Sequence, residues 1–553
     1  MKRTSVVAVL IVALALIGLA APLAYAQAPA PKVTINGLID QLTTYSKNTV
    51  NYNGGFFNRP DSQWYARTRG RFDVIGEIGK AKAVLGLEMD LTWGQTGSGD
   101  SAITTAGSQQ CFGCTGSFDL NTDVRAVIEL KWLYTEFQMP WVDIPMVVRL
   151  GAQPFGAAAT YKIAYATGDF AGVNVVTTLT PQVRLLGTYV QVEEALVGTD
   201  TEPSSGTPAP APAGVLSTQM RGDDHAVIVS AEITPFKGLD IKPMVSGFQA
   251  TGTTSGSARQ GRGGINTTTA YTGAGGAFKG DIEESRYTVG FDARYRMGPF
   301  SFDPTVLYQF GQRNVVGPGG AFAAAGVVPG RIYRADIDAW FLDGRVGFQL
   351  GPLLLQGLGV YTTGNSARNT TLGRVGYFQP LSTDTGYLAE WGTQLTSLGV
   401  DYFSAWNEAG GSIAYPGVSV GWDKYGRMQL GAKATYAITP QLSIMGTVNW
   451  HWTAENVDRN GVVAPGAGIT PVFGGPTGPT SGRENSKFVG TEFAALVSWQ
   501  FAPGLSWDTA GGYMIMGSAL DAVTDPTYVD QPNGVGRNTN APFIFTSRIR
   551  FTF

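Results

Sequence analysis

The chain of 553 residues holds two histidines, two cysteines and, beyond its first two dozen positions, no long apolar run. Each shortage excludes something. With only His225 and His451, imidazole acid–base or metal chemistry has few groups to draw on. Cys111 and Cys114 stand together as CFGC, with no second CxxC and no C-x-x-C-H, which leaves zinc-ribbon and haem readings without support. A membrane helix needs about 20 apolar residues, so any later membrane crossing falls to strands. Charged residues make up only 15% of the chain and its net charge is −3, which excludes a broadly basic nucleic-acid binder.

Glycine, at 74 residues, and aromatics, at 11%, are plentiful. Both suit strands, tight turns and interfacial girdles. At the start, Lys2 and Arg3 precede the apolar run from Val6 to Ala21, then Pro22 and Ala24-Tyr25-Ala26 before Gln27. That sequence of charge, grease and small residues predicts a secretory signal over 1–26, cleaved after Ala26 and followed by a single domain over 27–553.

The charges are few but ordered. In QWYARTRGRFDVIGEIG (63–79), Arg67, Arg69, Arg71, Asp73 and Glu77 share one phase of a two-residue alternation, while Trp64, Ala66, Phe72, Val74 and Ile78 share the other. A strand sends successive side chains to opposite faces, so one face is greasy and the other charged. A soluble sandwich turns its charged face to outer water; a membrane barrel turns it to a wet lumen. The alternation recurs. Residues 81–94 set Leu85, Leu87, Met89 and Trp93 against Lys82, Glu88 and Asp90, and residues 286–297 set Tyr287, Val289, Phe291 and Tyr295 against Arg286, Asp292, Arg294 and Arg296.

Such segments fall at 33–46, 63–78, 81–94, 122–138, 146–153, 170–179, 182–194, 224–235, 239–250, 285–297, 300–313, 331–350, 353–363, 422–438, 441–453, 486–501, 505–517 and 541–553. They predict about eighteen strands. Short links such as Gly79-Lys80, Gly298-Pro299, Gly351-Pro352 and Pro503-Gly504 alternate with long ones such as 95–121, 195–223 and 364–421. Strict parity of that kind predicts an all-β antiparallel transmembrane barrel with short periplasmic turns and long extracellular loops, since a Greek-key sandwich mixes loop lengths at both ends. Two segments break phase: 122–138, where Glu129 and Lys131 give way to Leu133 and Phe137, and 331–350, where Asp336 and Asp338 disagree with Asp343 and Arg345. A bulge in each would restore the alternation.

The last segment, APFIFTSRIRFTF, puts Phe543, Phe545, Ile549, Phe551 and terminal Phe553 on one face, with Arg548 and Arg550 on the other. Here the chain resembles the bacterial porin superfamily, whose final aromatic, usually phenylalanine, is read by the outer-membrane insertion machinery. That resemblance makes Phe553 the expected insertion signal. Eighteen strands is similar to the size of substrate-specific porins and alginate exporters, and VVRLGAQPFG (147–156) is loosely similar to alginate-exporter strands. What the resemblance implies is an integral outer-membrane protein contacting lipid and lipopolysaccharide, a monomer or a homotrimer, with no cofactor.

Barrel closure sets Arg548 and Arg550 beside Arg67, Arg69 and Arg71, and the expected result is a basic wall facing the pore. Asp73, Glu88, Asp90, Asp292, Asp336, Asp338 and Glu492 fall on inward phases as a counterweight, alongside Arg286, Arg294, Arg296, Arg345, Arg427 and Lys433. Two outcomes stand: modest anion preference, or solvated charges compensating one another in mutual pairs. The aromatic-rich link 364–421, with Trp391, Tyr402, Phe403 and Trp406, is the best candidate for folding into the lumen, loop or subunit contacts being the alternative. Cys111 and Cys114 are read as a disulfide stapling a loop in an oxidising compartment. His225 in DDH and His451 between Trp450 and Trp452 are weighed as catalytic and set aside for want of a placed partner. The leading expectation is a porin, a passive channel for small hydrophilic solutes and not an enzyme. The alternatives are an exporter of an acidic polysaccharide and a barrel-anchored adhesin or outer-membrane enzyme.

Overall fold

The computed structural model describes residues 29–48, 62–93, 116–118, 128–155, 164–193, 224–252, 282–316, 332–364, 373–383, 391–396, 400, 425–457, 461–462, 470–471, 486–517, 519 and 541–553. The expected signal over 1–26 and the cysteine pair Cys111 and Cys114 lie outside the described residues, as do Tyr402, Phe403 and Trp406.

The alternating segments become strands: β1 (Lys32–Lys47), β2 (Ser62–Ile78), β3 (Ala81–Trp93), β4 (Glu129–Gln138), β5 (Met146–Pro154), β6 (Asp169–Thr180), β7 (Val183–Glu193), β8 (Asp224–Phe236) and β9 (Leu239–Gly252). The series continues with β10 (Ile282–Met297), β11 (Phe300–Val316), β12 (Ile332–Leu350), β13 (Leu353–Thr362), β14 (Arg427–Thr439), β15 (Leu442–Val457), β16 (Ser486–Ala502), β17 (Leu505–Met516) and β18 (Phe543–Thr552). Each pairs antiparallel with the next, and β18 pairs with β1 from Leu38↔Thr552 to Lys47↔Phe543. The sheet therefore closes and leaves no edge exposed. Beyond the last strand, Phe553 exchanges two backbone hydrogen bonds with Gly37 at 3.0 Å each. A Cβ at Gly37 would meet the Phe553 ring at 2.8 Å, so the seam is shaped around that terminal aromatic.

Tight turns need backbone that ordinary residues resist. Gly298 and Gly351, each followed by proline, take φ of 58° and 56°, the left-handed region that glycine occupies at little cost.

Side chains sort by parity. Val229, Val245, Tyr287, Leu342, Leu430, Trp450, Trp499, Trp507, Tyr513, Phe545 and Ile549 are exposed on the outside, a continuous apolar belt that a water-soluble surface does not carry. Arg67, Arg69, Glu88, Asp90, Arg286, Asp292, Arg345, Arg427 and Glu492 are buried on the inside. Polar-in and apolar-out is the arrangement of a transmembrane barrel of the outer-membrane type, and the molecule is an integral membrane barrel of that kind.

The phase break in β4 is a bulge. Gly86 pairs with Trp132 but Leu87 with Leu130, leaving Lys131 as the extra residue. The break in β12 is not. Its register against β11 runs without interruption from Phe300↔Phe348 to Val316↔Ile332, so Asp336 and Asp338 share the parity of Trp340 and Leu342 and face outward. This corrects the expectation that those two aspartates line the pore: near the open end of a long strand, the outer face has left the apolar belt and tolerates charge. Asp338 there pairs with Arg374 at 3.2 Å and Asp336 with Arg334 at 3.6 Å.

Candidate functional site: the charged lumen and its inward segments

Register decides what the arginine ladder meets. At one level the strands line up Arg550, Asp40, Arg69 and Asp90 on β18, β1, β2 and β3. Both Arg550 and Arg69 form two-pronged bonds with carboxylates, Arg550 to Asp40 at 2.6 and 2.6 Å and Arg69 to Asp90 at 2.8 and 2.9 Å. Arg71 donates to Glu88 at 2.5 Å, Arg67 lies 3.7 Å from Asp90, and Arg548 donates to Asp508 at 2.7 Å. The bulge turns Lys131 into the same row, where it reaches Asp169 at 3.0 Å and Glu88 at 3.7 Å. The five arginines of the expected basic wall share the inner face, and each meets an acid. Fork-to-fork geometry makes such pairs firm, and their fields largely cancel beyond a few ångströms.

The opposite wall holds a second set. Arg313 Nε donates to Glu284 at 2.6 Å and Arg286 lies 3.0 Å from the same carboxylate. Asp343 and Arg345, two apart on β12, meet at 3.3 Å, and Asp292 accepts from Thr305 at 2.7 Å. Arg296 pairs with Asp303 beside the Gly298-Pro299 turn and is exposed; it shares the inward parity but sits at the rim.

Three short stretches from the long connections lie within the barrel and are buried: 164–166, 373–383 in part, and 391–396. Ser382–Thr383 pairs with Ala166–Thr167, and Leu381 N–H donates to Tyr165 O at 2.8 Å. Phe378 meets Phe341 with ring centroids 5.3 Å apart, and Tyr165, Phe170, Phe248, Leu358, Val360 and Trp391 join the same apolar cluster. Gln379 is held through its side-chain oxygen and its backbone. Its side-chain oxygen accepts from Arg286 and Arg313, both at 2.7 Å, while its backbone N–H and C=O exchange bonds with the Gln309 amide at 2.8 and 2.7 Å. Glu492 holds the other stretch. Its carboxylate accepts from the N–H groups of Gln394, Leu395 and Thr396 at 2.7, 2.9 and 3.3 Å and from the Thr396 hydroxyl at 2.6 Å. Trp391 donates to Asn449 at 2.5 Å, with the Lys433 ammonium 4.7 Å from its ring. The buried parts of the 364–421 link, 375–381 and 391–396, thus pack inside against the wall, while Arg374 stays exposed and reaches the outward Asp338.

Asp40, Glu284, Arg313 and Asp508, outside the set expected to line the pore, face inward as well, and the two-residue parity of their strands is the signal that marks them. The inward segments left a fainter mark: LLLQGLGVYT of β13 reads apolar on both faces, the pattern of a strand covered on both sides, because Leu358 and Val360 are covered from within.

The histidines separate. His225 faces outward beside Tyr189, ring centroids 6.1 Å apart, whereas Asp224 next to it is buried on the other face, so adjacency in sequence does not bring Asp224 and His225 together. His451 is buried 3.6 Å from Glu492 and 3.3 Å from the Thr396 hydroxyl, as a packing partner of the inward segment. Trp450, beside it in sequence, faces outward and is exposed.

No protein-family model matches the chain, and no curated protein is significantly similar to it in sequence. Among solved structures it is similar to the Pseudomonas aeruginosa porin OccK8 (OprE), with 9% identity, TM-score 0.46 and coverage of 94% of this chain and 98% of that one. A BenF-like porin from Pseudomonas fluorescens Pf-5 gives 11% identity, TM-score 0.46, and coverage of 94% and 98%. The outer membrane protein OprD of Pseudomonas aeruginosa gives 9%, 0.44, and 96% and 95%.

Proposed function

We propose that the chain is an outer-membrane channel through which small hydrophilic solutes diffuse passively past a constriction made by residues 373–383 and 391–396. The observation that carries this reading is a closed wall whose inner face holds ordered rows of charge while apolar side chains face out. A barrel serving only as an anchor has no need of such a lining. Because Arg67, Arg69, Arg71, Arg548 and Arg550 all meet acids, any anion preference is small and the lumen offers polar solutes alternating donors and acceptors. An exporter of acidic polysaccharide would need positive charge left uncompensated, which the paired rows do not supply. Residues 1–26 direct export, and Phe553, seated at the seam, serves insertion.

Purified folded protein in planar bilayers tests the reading: stepwise conductance with a reversal potential near zero in a salt gradient is expected. Folded barrels that stay silent, even after the inward segments are deleted, would rule the channel out.

A further inference from the structure

The inward segments leave one wall uncovered. Residues 164–166, 375–381 and 391–396 pack on strands between β9 and β16, where the side chains of Arg286 and Glu492 are 0% exposed. On β2 to β5 the inward charges keep contact with the lumen: the side chain of Arg71 is 31% exposed, that of Lys82 33% and that of Arg149 23%. A solute that enters the barrel therefore travels along this wall, and there β4 turns Trp132 and Tyr134 inward.

Trp132 has its position for a local reason. The bulge at Lys131 puts the two residues side by side on the inner face, and the residue opposite Trp132 on β3 is Gly86. A Cβ at Gly86 would meet Trp132 Cε3 at 3.0 Å and Asp73 Oδ1 at 3.1 Å. Without that side chain the indole has room to lie over β3, beside the Asp73 carboxylate. Its Nε1–H donates to Asp169 at 2.6 Å, and the Arg71 guanidinium stands 5.8 Å from the ring centroid. The residue is half-buried, so part of it stays open to the lumen. The Tyr134 ring, by contrast, carries the Arg149 guanidinium at 4.7 Å.

The charges around the indole select by sign. Arg71 is paired with Glu88 at 2.5 Å, Arg149 with Glu136 at 2.6 Å and Lys131 with Asp169 at 3.0 Å, whereas no donor among the described residues reaches the Asp73 carboxylate. An anionic solute over the indole would face Asp73 and Asp169, and a cationic one would face Arg71 and Lys131. A neutral solute meets no opposing charge. We propose that Trp132 is the floor of a binding site for a neutral pyranose sugar whose hydroxyls donate to Asp73, an inference that rests on the channel reading above. A pyranose has a face of C–H groups to lay on the indole and a rim of hydroxyls, each both donor and acceptor, to meet acids and bases already paired with one another. The site is one-sided and wet, so the sugar binds weakly enough to move on, as passage requires.

The test adds glucose to single channels of the full chain in planar bilayers and compares it with mannitol, an open-chain polyol without the flat face, and with benzoate and lysine as charged probes. Glucose is expected to interrupt the ion current reversibly and with saturation, at concentrations where the other three do not. Trp132→Ala should weaken that block about tenfold, Trp132→Phe should retain most of it, and Asp73→Ala should weaken it severalfold. Heat-dependent gel mobility reports whether each variant is folded; if Trp132→Ala is not, the phenylalanine and Asp73 variants carry the comparison. Saturation-transfer NMR of glucose on the barrel in detergent reads the site without a current, with the ring C–H protons expected to receive the most saturation in wild type and little in Trp132→Ala. A barrel that is silent in bilayers yet binds glucose in this way would refute the channel and leave the site standing. An open channel indifferent to glucose, equal block by mannitol, tighter block by benzoate or lysine, or unchanged affinity in folded Trp132 and Asp73 variants would overturn the proposal.

Discussion

Glu492 shows how much one residue can decide. Its carboxylate is fully buried and is the acceptor for three successive backbone N–H groups and one hydroxyl of the 391–396 stretch. Charge-assisted bonds of this kind contribute about 1.5–3 kcal/mol each, and the geometry is that of a latch. Glu492→Gln keeps the volume and one acceptor oxygen but loses the charge and turns an NH2 group toward N–H donors. A loss of about 3 kcal/mol would raise the population with the stretch released about a hundredfold. The expected readout is larger unit conductance with frequent transitions between levels, measured beside wild type in the same bilayers; identical traces would remove the latch. The buried Glu492 was legible in the sequence as an inward position, but nothing in the alternation of β16 tells that its partners come from residues 394–396.

At the scale of the element, β12 is informative because its parity holds over its whole length. Asp336, Asp338, Asp343 and Arg345 looked inconsistent only on the assumption that every charge faces inward. That assumption fails near a strand's outer end, where the exterior is solvated and outward charge costs little. The two faces should answer differently to the same chemistry. Asp343→Asn leaves Arg345, 3.3 Å away, without its carboxylate and should move the reversal potential toward anions, whereas Asp336→Asn on the outer face should leave it unchanged. Equal shifts from both would contradict the register. β4 illustrates the opposite case. There the phase does slip, at Lys131, and the bulge is what lets one lysine reach acids on both β3 and β6.

For the whole molecule the question is net field rather than any single pair. Neutralising Arg67, Arg69 and Arg71 together, as glutamines, removes three cations from a row that keeps Glu88 and Asp90, with Lys131 left beside Glu88. The channel should turn cation-selective in dilute salt and lose most of that preference near 1 M, where the screening length falls to about 3 Å. Reversal potentials at two ionic strengths check this. The sequence by itself determined that strands form, about how many, and which face of each is greasy, because a two-residue period is a local property and lipid demands it along every strand. Only the tertiary structure decided that the arginine ladder is compensated and that two stretches of a long link lie inside the lumen. Both depend on register between strands far apart in sequence, Asp40 against Arg550 and Glu492 against Leu395, and no periodicity within one strand encodes which residue of another it will face.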